Sequence, residues 1–185
     1  MCDWLSGASH LNELEMNTHS VFRILHIVGG VIWVGAAVFT AVFLIPAARA
    51  VGPAAGPVMR ELTVVRKLPI YLLAIAFVTV LSGGVLAYRD MGSMGMSWFQ
   101  QGSGLSFGVG AVLAISGLIL GLTVNAPTVK KIGALSAQLQ KEGRPPTAEE
   151  DARLQALQDR LFLASRIIAV LLVLATVAMA YARYM

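Results

Sequence analysis

Four stretches of the chain carry almost nothing but apolar residues, and the polar residues gather between them. The runs cover 20–45, 68–88, 105–126 and 161–184, each near or above the roughly 20 residues that an α-helix needs to cross a bilayer. The pattern predicts an all-α fold, an integral membrane four-helix bundle spanning 20–185 behind a polar lead of residues 1–19. Strands of a membrane barrel would alternate in polarity over segments of about ten residues. These runs are instead continuous and rich in Leu, Ala and Gly, as suits helices that pair their own backbone groups. The first run is too long for the apolar core of a secretory signal, and the lead before it has no Lys or Arg. A cleaved leader is therefore not expected.

The connections have patterns of their own. Pro46, Gly52-Pro53 and Gly56-Pro57 predict a stop to the first helix. A short amphipathic helix is expected over 58–67, before Pro69 opens the second span. In 127–160, Ile132, Leu135 and Leu139 recur at helical spacing, as do Leu154, Leu157 and Leu161, with Gly143-Arg144-Pro145-Pro146 between the two sets. Thr147 followed by Glu150 fits a capping box. Spans three and four are thus expected to extend as a cytoplasmic helical hairpin, with arms on the order of 15–20 Å. Its leucines either zip the arms together or offer a docking face.

Composition agrees with the pattern. Of 185 residues, 57% are hydrophobic and 13% charged, and the mean hydropathy of +0.73 is far from that of a soluble domain. Charge adds orientation. Arg49, Arg60, Arg66, Lys67, Lys130, Lys131, Lys141, Arg144, Arg153, Arg160 and Arg166 all fall in or beside the connections after spans one and three, leaving only Arg23, Arg89 and Arg183 elsewhere. By the positive-inside rule those connections are cytoplasmic, and both termini and the 89–104 loop face outward. The basic balance then reflects loop charge near anionic lipid and calls for no nucleic acid. Cys2 stands alone, so no internal disulfide or paired-cysteine metal site is available.

Candidate chemistry centres on His26, an ionisable group inside an apolar run. Imidazole is a common metal and haem ligand. Gly29 and Gly30 remove side chains one turn away, and Trp33 lies seven residues on, so a flat macrocycle would find a gap and a wall. Small residues at matching depth, Ser82, Gly83 and Gly84, Ser106, Gly108 and Gly110, and Thr176 and Ala178, fit such a pocket or simply close helix approach. Arg23 either snorkels to the surface or pairs with a haem propionate. His19 shares a face with His26 but stands about 10.5 Å along the helix, too far to be its trans partner on one iron. His10, Met16 or Met179 would have to supply a second ligand, or the iron would be five-coordinate. A second candidate is the loop RDMGSMGMSW, where Met91, Met94 and Met96 could gather on Cu(I), or where methionines beside Trp98 and Phe99 rest at the interface. No phosphate loop, HExxH, GxSxG or intramembrane carboxylate occurs, so hydrolase, ATPase and carboxylate-relay transporter readings find no support.

The series Leu25-His26, Trp33-x-Gly35 and Phe43-x-x-Pro46 resembles the first helix of copper-resistance D (CopD)-like integral membrane proteins. Leu81-Ser82-Gly83-Gly84 and the ending Met179-Ala180-x-Ala182-Arg183-Tyr184 are similar to the same broad group. The resemblance implies a bacterial inner-membrane protein whose first-helix histidine, here His26, holds b-type haem or copper near the outer face for redox or metal handling. More distantly, the chain is similar to haem-binding HemJ-type protoporphyrinogen oxidases. CopD itself is larger and richer in histidine and methionine, and the further polar residue expected of the HemJ type has no counterpart here. The alternative, from another class, is a non-catalytic accessory subunit of a larger membrane complex, or a homo-oligomer, packed through its glycine-lined faces.

Overall fold

The computed structural model describes residues 3–100 and 102–185; of residues 3–16 and Ser93 it describes the backbone alone. The chain forms α1 (Asp3–Phe39), α2 (Ile45–Val51), α3 (Gly56–Arg60), α4 (Leu68–Met91), α5 (Gly102–Leu120), α6 (Ala126–Glu142) and α7 (Ala148–Tyr181). Four helical stretches are long and apolar enough to cross a membrane. The fold is all-α, with the four long apolar helices of a multi-pass membrane protein.

Pro46 does not end the first helix. A proline has no amide hydrogen, and its ring collides with the carbonyl four residues back. A widened π turn over Thr40–Leu44 relieves that collision, and the helix resumes as α2 with Pro46 in its first turn. The same arrangement recurs where the π turn Gly121–Asn125 precedes Pro127 and α6. Each proline lies two residues beyond its π turn. The break after the first helix comes at Gly52, one of the expected stop signals, at φ 65°, a conformation glycine adopts without steric cost. The segment expected to be an amphipathic helix over 58–67 is divided between α3 and a π turn, Glu61–Val65, and Lys67 then reverses the chain at φ 52°. For a residue with a Cβ that conformation costs about 1–2 kcal/mol.

The spans pack as two close antiparallel pairs, α1 with α4 and α5 with α7, which meet through α1 against α7 and α4 against α5. At the centre lie Trp33, Ala76, Leu118, Ile168 and Leu172, so every span contributes to the core. Large apolar side chains such as Val31, Leu81, Val112 and Val170 remain exposed, the surface a bilayer would cover. In α5–α7, Gly110 abuts Met179 and Gly117 abuts Leu172. Towards the end where α6 begins, Asn125 Nδ2 donates to Ser165 Oγ at 3.1 Å, while the buried Asn125 Oδ1 has no hydrogen-bond partner among the described residues.

α6 packs against α7 and buries Leu139. At the start of α7, Glu150 N–H donates to Thr147 Oγ1 at 3.3 Å and Thr147 N–H donates to Glu150 Oε2 at 2.8 Å. This is the capping box expected from the sequence. Arg144 adds a bidentate contact to Glu150 at 2.7 and 2.8 Å.

Candidate functional site

Antiparallel packing of α1 on α4 brings His26 to the backbone of α4. Its Nδ1 lies 2.8 Å from Thr79 O. A carbonyl can only accept, so Nδ1 carries a proton, and in the neutral tautomer of this ring Nε2 has the lone pair. The ring lies so close to Gly83 that a Cβ there would stand 2.6 Å from His26 Cε1 and 2.8 Å from Nδ1. One turn along α1, a Cβ on Gly29 would stand 2.5 Å from Thr79 Oγ1. Gly29 and Gly83 are thus two places where the helices approach backbone to side chain.

Thr79 is the hinge of this arrangement. Its hydroxyl donates to Ile75 O at 2.8 Å. Its carbonyl accepts from His26 Nδ1 and lies 3.1 Å from Ser82 Oγ, whose hydroxyl makes its shorter bond, 2.6 Å, to Val78 O. Thr79 and Ser82 are buried. The spacing Thr79, Ser82, Gly83 is a stripe of small residues on one helix face, which marks where another helix can approach closely but not the carbonyl that His26 meets.

The remaining expected residues fall into different surroundings. A Cβ on Gly30 would stand 3.8 Å from the Thr79 methyl group, an ordinary contact. Trp33 lies in the central core rather than on an open wall. Arg23 is exposed and has no carboxylate partner among the described residues. His19 Nε2 lies 3.6 Å from Asp90 Oδ1, tying α1 to the last turn of α4. Met179 packs on Gly110, in the other helix pair. The side chains of His10 and Met16, and Cys2 altogether, lie outside the described residues.

Met91 ends α4, about 12 Å along the axis from Gly83 and hence from the His26 ring. Met94 and Met96 are exposed in the segment Gly92–Gln100, which turns at Gly95 with φ 56°. The structure therefore does not bring His26 and the methionine triplet into one ligand set. The end of that segment is firmly packed. Trp98 is buried, stacked on Phe107 at 6.1 Å and edge-on to Phe99 at 5.0 Å, and a Cβ on Gly104 would overlap the Trp98 carbonyl.

Beside the His26 contact, an apolar groove of about 310 Å³ runs between α1 and α4, lined by residues including Leu25, Val28, Gly29, Ile75 and Val78. Its lining has no polar side chain, which suits hydrocarbon. Among the described residues, no group of three or more His, Cys, Asp or Glu comes together. At this helix contact the protein atom that could meet a haem iron or copper is His26 Nε2. Comparison with family models, curated proteins and solved structures gives no match.

Proposed function

We propose that this four-span membrane protein works in redox or metal handling at the outer face of a bacterial inner membrane, with His26 Nε2 as the single protein ligand to b-type haem or copper. The hydrogen bond from Nδ1 to the Thr79 carbonyl carries this reading. Ligating histidines commonly hold their second ring N–H in such a bond, which fixes the tautomer and the ring plane. In this reading the basic connections and the α6–α7 hairpin are cytoplasmic, and His26, Arg23 and the methionine segment lie towards the outside. The test is the visible spectrum and metal content of the gently purified protein. His26→Ala should abolish the Soret band or the bound copper, while His19→Ala retains it. Equal loss in both variants would refute the ligand assignment.

The glycine contacts favour a second reading. Thr79 fills the space beside Gly29 and the His26 ring fills the space beside Gly83, so the small residues serve helix approach and His26 pins the pair. A bundle held in this way suits a non-catalytic accessory subunit of a larger membrane complex. Co-purifying larger subunits, together with no Soret band and no stoichiometric copper, would select it.

A further inference from the structure

At the end of the bundle bearing most of the basic residues, Arg49 of α2 and Arg166 of α7 both lie over the ring of Phe162, 5.0 and 4.8 Å from its centroid. The carboxylate at this cluster is Asp159, which Arg49 Nη2 already contacts. Two guanidinium groups thus share one aromatic ring, and the carboxylate beside it is held by Arg49 alone among the described residues. Arg166 has no carboxylate partner among the described residues, and it is exposed.

Its position makes that unpaired charge consequential. Arg166 stands inside the fourth apolar run, five residues past Leu161, and the next sixteen residues contain no charge. An exposed side chain there faces lipid at the edge of the hydrocarbon. A cation at that depth is costly unless it finds an anion or reaches the headgroups. The stack on Phe162, one turn back, draws the guanidinium towards the boundary, and Arg49 approaches the same ring from the first helix. Guanidinium is the side-chain group best matched to phosphate oxygens.

We infer that Arg166 and Arg49, arranged on Phe162, form a headgroup site for an anionic phospholipid, with the phosphate on the cation that Asp159 leaves unbalanced. This rests on the membrane-spanning reading of the chain. It does not depend on His26 or on any cofactor.

Native mass spectrometry of the full-length protein in detergent, titrated with phosphatidylglycerol or phosphatidylcholine, tests the site. Wild type should retain one phosphatidylglycerol in preference to phosphatidylcholine. Arg166→Gln should weaken that binding about fivefold, the share of one basic residue at a membrane surface. Arg153→Gln, about 20 Å back along α7, should leave it unchanged. Asp159→Asn, an exposed substitution that frees Arg49, should tighten binding and gives a readout even where Arg166→Gln fails to accumulate. Equal retention of both lipids, equal effects of the two arginine variants, or full displacement by millimolar inorganic phosphate would overturn the site. A protein that fractionates with membranes yet has no lipid preference defeats this inference alone, whereas one absent from membranes defeats the spanning reading beneath it.

Discussion

His26 and Gly83 act as one unit, because the imidazole occupies the volume that any side chain at 83 would need. Gly83→Ala should force the ring off Thr79 O and destabilise the α1–α4 pair by about 1–3 kcal/mol, the usual cost of overpacking, measured as a lower midpoint of unfolding in detergent. Gly29→Ala meets the Thr79 hydroxyl in the same way. Removing that hydroxyl with Thr79→Ala should restore much of the loss, so the double variant should be more stable than the two separate effects predict. Additive losses would show that the Gly29–Thr79 contact does not limit the approach. His26 was legible in the sequence as a lone ionisable residue within an apolar run. Its partner was not, because the acceptor is a main-chain carbonyl that threonine identity does not reveal. Nor does local sequence show that Thr79 would fill the gap left by Gly29.

The helix ends and interruptions were legible to differing degrees. Thr147 and Glu150 identify the start of α7 through local chemistry alone, since both hydrogen bonds close within four residues. Thr147→Ala should cost about 1 kcal/mol of local helix stability, seen as faster amide exchange in the first turn of α7. Glu150, in the part of α7 that precedes the apolar stretch, has its pKa lowered from 4.5 to about 2, first by the Arg144 hydrogen bonds and then by the Thr147 N–H. The charged form is favoured by folding, so its contribution is complete above pH 4.5 and fades as pH falls towards 2. Exchange in that turn should therefore rise between those values once corrected for intrinsic rates, and Arg144→Gln should shrink the response. Pro46 misled because the local effect of prolines is to break helices. The π turns that accommodate them are held by tertiary packing, with Ala41, inside the first, almost wholly buried and that turn seated on α7.

Across the whole molecule, the number and approximate limits of the spans could be read from hydropathy because lipid demands unbroken apolar length. Which spans pair could not, since hydrocarbon outside is as apolar as the core and pairing rests on small residues and hydrogen bonds. Trp33→Ala should consequently cost less than the about 3–5 kcal/mol typical of a water-soluble core, as only the lost packing remains. Orientation can be tested directly. In a Cys2→Ser background, Ser97→Cys should react with a membrane-impermeant maleimide on intact spheroplasts, and Ser136→Cys only after lysis. The reverse pattern would invert the topology inferred from the basic connections.

The two close pairs consist of consecutive spans, α1 with α4 and α5 with α7. The first pair can therefore zip together while the ribosome is still making the second, with the His26 contact closed before span three is synthesised. Biogenesis then becomes the joining of two finished halves. Co-expressed fragments divided in the 92–101 connection should reassemble into a stable complex in the membrane, recoverable through a tag on either half.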